Sequence, residues 1–523
     1  MKHKHLCRGP EQIKDRRRKS PVLLDEPEWV LVGVIALDLC LQAWAYGGMT
    51  SSSQIVSLGL SVVALLFSLL PRGERGGLEN DERFPKSCRE RLLRFPVFWA
   101  GVVMIGYVFL QAVNPAFSYQ SEGDQWWLVR IPHIHWLPMG MQVPFAQMNP
   151  WRVLVILGAC WLKVCALWVG ITRRRSVSVL LTVLSVNAFL LAVVGILQRA
   201  CGTHGGQWYA TVVEGSVAGI VYKNHAAAYF SLLTLVTTGL GLRYFIKNGS
   251  RRNSSGSLVL FIFFGMVMML AVILSFSLSG LVILGMALLL VVATTVWHHR
   301  KTFPLNKGIA RFATTTVILL ALVAGIGAAV GYSDIKENVA RKLSWEGEFA
   351  IRSRLQANKR GWEMFTDQWL TGWGAGCFRY GFTKYQQREP ELLKWRDTQL
   401  RWENVHDDWL ELLIELGVLG SIPVLFIVGY WFHQVVSLRL WDHIAVFPIL
   451  CGLGGLTAYG FFDFPFHNPA AASTACVLLP AIIKWGKSES RGVDQINSLG
   501  HSTFLPAKDQ IPDLSANPAQ EAR

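Results

Sequence analysis

The stretch that decides how the chain is organised is Asn404-Val405-His406-Asp407-Asp408-Trp409-Leu410-Glu411-Leu412-Leu413-Ile414-Glu415-Leu416-Gly417. It ends the longest polar interval in an otherwise hydrophobic sequence. We therefore predict that an aqueous loop re-enters a membrane here, with His406 at the boundary. Imidazole titrates near neutral pH, which makes His406 a candidate reacting group. The alternative is a helix N-terminus at which Asp407 and Asp408 only complement the helix dipole.

The composition of the whole chain agrees with a membrane location. Of its 523 residues, 52% are hydrophobic and 16% are charged, and the mean hydropathy is +0.33. Soluble domains have about 25% charged residues. A helix needs about 20 apolar residues to cross about 30 Å of hydrocarbon. Such runs predict an all-α polytopic membrane protein with about twelve spans, at 29–47, 53–70, 95–113, 152–171, 176–197, 223–242, 257–276, 278–297, 312–331, 409–432, 444–462 and 470–485.

These spans divide the chain into five parts. A basic leader (1–28) precedes nine spans (29–331), a large and partly helical loop (332–408), three further spans (409–485) and a polar tail (486–523). Basic residues in short loops stay cytoplasmic, and their distribution places both termini in the cytoplasm and the large loop outside. The net charge of +15 is then mostly a topology signal. No nucleic-acid recognition motif accompanies it.

The outer segment 114–151 combines many Trp and Pro residues. Proline blocks regular helix, and tryptophan favours the membrane interface. The segment therefore predicts an irregular loop with an aromatic belt, and a surface that stacks sugars or guides lipids is the alternative. His133 and His135 have no further metal ligands at useful spacing, and we interpret them as interfacial residues.

Two charged residues fall inside predicted spans, Asp38 in the first and Lys163 in the fourth. Charges at membrane depth are costly and seek partners inside the protein. A structural pair between Asp38 and Lys163 is one possibility that the sequence leaves open. Two cysteines, Cys201 and Cys377, are predicted on the outer side, where a disulfide is chemically allowed but not required.

Two short polar elements lie at outer ends of spans. Lys223, Asn224 and His225 gather hydrogen-bond donors at headgroup level, where a snorkelling lysine with capping neighbours is the structural alternative. The second element is Leu274-Ser275-Phe276-Ser277-Leu278-Ser279-Gly280, in which hydroxyls and a glycine separate two apolar runs. This second element predicts a tight external turn.

The large loop contains arginines followed by a glycine-rich stretch. Arg352, Arg354 and Arg360 belong to a segment of helix-like composition, 352–368, which Gly372-x-Gly374-x-Gly376 ends with backbone freedom. The glycines are not a dinucleotide fingerprint, because no βαβ unit surrounds them. Arginine binds diphosphate oxygens through charge-assisted bonds, and surface ion pairs are the alternative for any single arginine.

Taken in order, these elements resemble the O-antigen ligase/polymerase family. The resemblance covers about 220–430 and is carried by the Asn224-His225-Ala226 element, the hydroxyl turn, the arginine-bearing helix, the stretch Leu370-x-Gly-x-Gly-x-Gly-x-Phe378 and the stretch His406-Asp407-Asp408-Trp409-Leu410 with the Gly417 region after it. Each motif is weak alone, and their order and topology make the signal specific.

The resemblance implies an inverting, metal-independent glycosyltransferase of the membrane GT-C class that uses no cofactor. Its donor is a glycan on undecaprenyl diphosphate, at the periplasmic face of the bacterial inner membrane. Ligases transfer the glycan to the lipid A core, polymerases to another repeat unit, and related members to protein. By resemblance, His406 is the essential histidine, Arg352 or Arg354 is the loop arginine, and Asn224 and His225 are the Asn-His element.

The sequence departs from the family pattern at two places. The hydroxyl turn has Ser279 where the family often has an arginine, so Lys223, Arg360 or Arg379 would have to bind the diphosphate instead. Asp407 stands where the family usually has asparagine, and its charge would raise the basicity of His406. In this scheme neutral His406 activates the acceptor hydroxyl, and the cations offset charge on the leaving diphosphate.

Other classes of protein would share the spans and the basic inner loops. A polysaccharide-lipid flippase or transporter places its substrate at the bilayer midplane and often shows internal repeats. Here no repeat is visible, and the polar residues are concentrated in one outer loop, which favours an enzyme. A scaffold in an envelope-polymer export complex is a third interpretation, in which loop substitutions would leave chemistry untouched.

Overall fold

A computed structural model describes most of the chain: residues 26–70, 88–123, 125–200, 217–248, 255–302, 336–337, 340, 344–395 and 398–502. The main helices are α1 (Glu26–Trp44), α2 (Ser51–Leu69), α3 (Cys88–Leu93), α4 (Pro96–Val113), α5 (Pro150–Gly170), α6 (Arg174–Ala200), α7 (Lys223–Asn248), α8 (Ser255–Leu274), α9 (Leu278–Thr302), α10 (Trp345–Asp367), α11 (Phe378–Gly381), α12 (Thr383–Gln386), α13 (Pro390–Leu393), α14 (Asp408–Ser437), α15 (Phe447–Tyr459) and α16 (Pro469–Ser502). Short 3-10 turns lie at Tyr46–Gly48, Leu440–Asp442 and Pro465–His467.

Within the described residues, seven helices are long and apolar enough to cross a membrane. They are α2, α4, α5, α6, α14, the Lys223–Tyr244 part of α7 and the Pro469–Lys487 part of α16. Shorter apolar helices cover Leu258–Leu274, Leu278–Thr294 and Phe447–Tyr459. A mostly helical membrane protein is thereby confirmed, and the span predicted at 312–331 lies outside the described residues.

The prediction of an all-α protein is wrong for the segment 114–151. The strands β1 (Pro115–Glu122) and β2 (Gln125–Arg130) form an antiparallel hairpin, and β3 (Gly140–Gln142) pairs with β1 in parallel. Tyr119 and Trp126 stack on each other and contact the ring of Tyr380 from the large loop. Alternate residues of the hairpin thus gain a half-buried face, which stabilises strands and outweighs the proline signal. A two-residue ladder, β4 (Lys394–Trp395) with β5 (Thr398–Gln399), lies in the large loop.

The two largest hydrophobic cores of the described residues lie in different parts of the molecule. The larger one joins the helices α1, α5, α6, α7, α15 and α16 through residues such as Leu39, Leu167, Leu184, Phe230 and Ile482. The second lies under the large loop and contains Met364, Trp373, Phe378, Tyr385 and Leu410. Because Leu410 belongs to α14, the loop forms a packed layer on the end of a membrane helix.

Glycines fix how this loop meets α14. Gly372, Gly374 and Gly376 have positive φ angles of 73°, 104° and 73°, so the predicted backbone freedom after α10 is confirmed. A Cβ atom on Gly372 would lie 2.3 Å from the Glu415 carbonyl oxygen, and one on Gly417 would lie 2.5 Å from the Leu370 carbonyl oxygen. Only glycine permits this approach of two backbones. The turn between α8 and α9 at residues 275–277 is also confirmed.

The charges predicted inside the membrane do pair. Lys163 Nζ lies 2.6 Å from Asp38 Oδ2, and both side chains are buried. Ser57 donates to Asp38 Oδ2, and Gln42 donates to Asp38 Oδ1, each at 3.1 Å. Lys163 also donates to the hydroxyls of Ser57 and Ser473. The cluster connects α1, α2, α5 and α16.

The structure describes one of the two cysteines that were predicted on the outer side, and both histidines of segment 114–151. Cys377 is a fully buried free thiol, and Cys201 lies outside the described residues. The rings of His133 and His135 contact each other, with centroids 4.3 Å apart, in the segment between β2 and β3.

Candidate active site

A cavity of about 790 Å³ lies between the large loop and the ends of the membrane helices. Its walls come from segments that are far apart in sequence: the start of α5, the residues before α7, the inner face of α10, the stretch 400–406 and the residues between α15 and α16. The polar side chains that line it include Arg152, Tyr222, His225, Ser353, Arg354, Arg379, Arg401, Glu403, Asn404, His406 and His467.

His406 occupies the cavity wall two residues before α14. Its φ angle is +64°, a left-handed conformation that is uncommon for residues other than glycine. The Nδ1 atom faces Asp463 Oδ1 at 3.4 Å and is buried without a closer partner. The ring also contacts Trp402 and Phe464 edge-on, with centroid distances of 5.7 and 4.9 Å. Nε2 is therefore the ring nitrogen left for a molecule in the cavity.

Asp463 is the carboxylate behind His406. Its side chain is only 1% exposed, although it carries a charge. The Asn224 side chain donates a short hydrogen bond to Oδ2, and the Phe464 backbone N–H donates to Oδ1 at 3.0 Å. Burial raises the pKa of Asp463, but the His406 side chain and the charge of Arg354 outweigh burial and bring the pKa below its ordinary value. An ionised Asp463 can hold His406 with its Nδ1–H toward the carboxylate.

A second histidine, His467, lies at the same wall between two carboxylates. Its Nδ1 is 2.7 Å from Asp408 Oδ1, and its Nε2 is 3.1 Å from Glu411 Oε1. Burial lowers the pKa of His467, but Glu411 and Asp408 outweigh it and hold the pKa well above its usual range. His467 is therefore an imidazolium at neutral pH. Glu411 also accepts from the Val405 backbone N–H at 2.9 Å, which braces the residue before His406.

Four arginines line the cavity. Arg354 lies near the Tyr222 side chain, and the Arg379 guanidinium lies 3.4 Å from the Glu403 carboxylate. Arg401 stacks on Trp126, with its guanidinium carbon 5.2 Å from the ring centroid. Arg152 donates to Gln54, Ala146 and Met49, so its guanidinium is fixed by uncharged acceptors. Glu403 is the one carboxylate among the lining residues given above, so positive charge is in excess there.

The Asn-His element at the start of α7 supports this wall. Asn224 bridges Asp463 and the Tyr222 hydroxyl, to which it donates at 2.7 Å. His225 is buried, and its Nε2 donates to the Phe464 carbonyl at 3.0 Å. Both residues therefore hold the segment that carries Asp463, and His225 also lines the cavity.

Several residues singled out from the sequence lie elsewhere. Arg352 points away from the cavity and pairs with Glu348 and Glu391. Arg360 is bound to Glu363 and Glu389 at 2.6 and 2.9 Å. The structure thus brings together His406, Asn224, His225, Arg354 and Arg379, but not Arg352 or Arg360.

Two further predicted residues do not reach the cavity. Asp407 caps α14: its Oδ1 accepts from the backbone N–H groups of Trp409 and Leu410, both at 3.0 Å. Lys223 is the first residue of α7 and is not among the cavity-lining residues.

Sequence reasoning missed Asp463 and His467. Both lie in the short stretch Asp463-Phe464-Pro465-Phe466-His467 between two apolar runs. Its position between the last two predicted spans placed it on the same side as His406. Two ionisable residues in so short a connection between two apolar runs could have identified this stretch as a candidate part of the site.

A comparison with known protein families finds a match in the central part of the chain. Residues 261–427 match the family model described as O-antigen ligase, which confirms the predicted resemblance to the O-antigen ligase/polymerase family over this part of the chain. The matched part includes α8 from residue 261 onward, α9, α10, His406 and the first two-thirds of α14. No curated protein matches the chain. Asn224, Asp463 and His467 lie outside the matched residues, and the structure places Asp463 and His467, which the sequence analysis did not single out, near His406 and Glu411.

Proposed function

We propose that this chain, whose residues 261–427 match the O-antigen ligase family, transfers a glycan from undecaprenyl diphosphate to a hydroxyl of the lipid A core at the periplasmic face of the inner membrane. The proposal rests on one observation above all. His406 is backed by the buried carboxylate of Asp463 at the wall of a cavity that Arg354 and Arg379 also line. A candidate base and several cations therefore line the same cavity of about 790 Å³.

In the proposed reaction, His406 is the catalytic base. Its Nε2 accepts the proton of the acceptor hydroxyl, and the acceptor oxygen forms a bond to the anomeric carbon from the face opposite the diphosphate. Asp463 stabilises the imidazolium that results, because its charge lies next to Nδ1–H. Acid–base assistance of this kind contributes on the order of 10²–10⁴ in rate.

The bond between the anomeric carbon and the diphosphate oxygen breaks with its electron pair on oxygen. Arg354 and Arg379 offset the negative charge that this oxygen gains, as preorganised cations do in other transfer reactions. The reaction inverts the anomeric configuration, and the cations that it needs are side chains of this chain. Among the residues considered for the arginine missing from the hydroxyl turn, Arg379 is the one that lines the cavity.

The test uses purified protein in liposomes with a lipid-linked glycan donor and a lipid A core acceptor. We expect His406→Ala to lower transfer by about 10²–10⁴-fold, while His433→Ala, an exposed position near the other end of α14, transfers at the wild-type rate. Wild-type transfer by His406→Ala would exclude His406 as the base. Longer glycan on the carrier, with none on the core acceptor, would identify a polymerase instead of a ligase.

A further inference from the structure

Helix α10 has two faces with different surroundings. Its inner face carries Phe349, Ser353 and Arg354, which line the cavity. Its outer face carries Ile351, Leu355 and Trp362, which are 65%, 65% and 51% exposed. Spacings of four and seven residues put these three side chains on one stripe of the helix. Large apolar side chains that share one exposed stripe of a helix indicate a partner surface.

The stripe continues onto a surface that faces lipid. Beyond α10 come Trp369 and Leu370, which are also exposed. Their carbonyl groups accept from the backbone N–H groups of Val418 and Leu419 in α14, at 2.8 and 3.1 Å. From there, α14 presents further exposed apolar side chains along its length, namely Ile422, Leu425, Phe426 and Phe432.

The length of α14 sets the depth at which α10 meets it. The helix is interrupted at Gly417, whose φ and ψ angles are not helical. The part from 418 to 437 has a length of about 30 Å at 1.5 Å per residue, which equals the thickness of the hydrocarbon layer. Gly417 therefore lies at the hydrocarbon boundary, and Asp408, Glu411 and Glu415 lie above it. Trp369 and Leu370 contact α14 at this boundary.

We propose that the outer face of α10 lies in the interface of the bilayer, with phospholipid as its partner. An amphipathic helix binds there by immersing its apolar face among headgroups and upper acyl chains, and tryptophan favours this level. The exposed Lys359 lies one turn after Leu355 on the same face of α10. Its positive charge suits contact with lipid phosphates.

An α10 helix that lies in the bilayer interface would also affect how a substrate enters the cavity. One wall of the cavity becomes a helix that rests on lipid, with Arg354 on its inner face and Leu355 on its outer face. A donor linked to undecaprenyl diphosphate, as in the proposed function, then needs to move only around a single helix at headgroup depth, and its polyprenyl chain stays in the membrane.

The test is photocrosslinking of the full chain, purified and reconstituted in vesicles that contain an alkyne-tagged phospholipid. The photoreactive residue p-benzoylphenylalanine replaces Leu355, or Leu419 as the lipid-facing reference, or Lys384 as the control. Lys384 is exposed on α12, and its neighbour Tyr385 packs with Met364 on the buried side of α10. All three positions tolerate a large side chain because they are exposed.

We expect the lipid adduct at position 355 to be within about threefold of that at 419 and at least about tenfold above that at 384, as for a helix immersed in the interface. Lipid labelling at 355 as low as at 384 would overturn the proposal. A crosslinked species of twice the chain mass at 355 would also overturn it, because a second copy would then cover this face. The readout requires no transfer activity, so it is independent of the proposed reaction.

Discussion

Two groups of buried charges in this molecule differ in how completely their polar atoms are hydrogen-bonded. The first, around Asp38 and Lys163, lies inside the helix bundle, and each of its polar side-chain atoms has a hydrogen-bond partner. The second, around His406, Asp463 and His467, lies at the cavity wall. There the Nδ1 atom of His406 is 3.4 Å from its carboxylate and has no closer acceptor.

The difference distinguishes a structural group from the group that we propose reacts. Buried charges stabilise a fold only when their partners offset the loss of water, so a satisfied pair such as Asp38–Lys163 has no capacity left for a ligand. The cavity group leaves His406 with an available nitrogen and holds nearby arginines in excess of carboxylates. Four predictions test this contrast, from the largest expected effect to the smallest.

Replacing Asp463 with Asn should have the largest effect on the reactive group. The amide keeps the shape but removes the charge that stabilises the His406 imidazolium, so kcat should fall on the order of 10²–10³-fold. Because the pKa of Asp463 lies below its ordinary value, the wild type should lose activity only at a pH low enough to protonate this carboxylate, and the Asn variant should lack that pH-dependent loss. Assays of kcat against pH in liposomes check both effects.

A structural role of Asp463 predicts a different pattern. In that case Asp463→Asn would lower the amount of folded protein and leave the pH profile of the remaining activity unchanged. Asp38→Asn is the matched control in the bundle, and we expect its pH–rate profile to coincide with that of the wild type.

Removing one member of the bundle pair should affect stability instead of chemistry. Lys163→Met leaves Asp38 buried without its cation, which should cost about 3–5 kcal/mol of folding free energy. The double variant Asp38→Asn/Lys163→Met removes both charges and should regain most of that loss. Thermal unfolding in detergent, followed by size-exclusion chromatography, measures the difference. A double variant no more stable than Lys163→Met would show that the pair does not act as a unit.

Two arginines of α10, Arg352 and Arg354, provide a further test of the comparison. Arg354 faces the cavity, whereas Arg352 pairs with glutamates on the surface. Arg354→Gln should lower kcat/KM for the lipid-linked donor by about 10–100-fold, because it removes charged hydrogen bonds to the diphosphate. The loss can come from a higher KM or from a lower kcat. Arg352→Gln should stay within about threefold, as expected for an exposed ion pair. Equal losses in both variants would remove Arg354 from the donor site.

The sequence predicted the class of fold well because its dominant signal is local. Apolar runs located the membrane helices, and Gly372, Gly374 and Gly376 marked the end of α10 by their backbone requirement. The hairpin of β1 and β2 was not predicted, because its strands are stabilised by Tyr380, a residue more than 200 positions away in the chain. Proline and tryptophan content alone gave the wrong local structure.

The site was predicted only in part, because contact between distant segments has no local signature. His406 and Arg354 were identified through motif order, but Arg352 and Arg354 could not be distinguished without helix orientation. Asp407 was chosen as the partner of His406 because the two are adjacent in sequence. The structure instead places Asp463 next to the imidazole, after a separation that includes α14 and α15.

The smallest expected effect therefore belongs to the residue that the sequence made most prominent after His406. Asp407 accepts two backbone N–H groups at the start of α14, so Asp407→Ala should cost about 1 kcal/mol of stability, the usual value for an N-cap. Transfer measured at saturating donor should stay within about threefold of wild type, because the Asp407 carboxylate is occupied by the helix end. Asp407→Ser, which retains a capping oxygen, should recover the stability. If Asp407→Ala and Asp407→Ser both lost transfer as strongly as Asp463→Asn, the charge beside His406 would come from both aspartates.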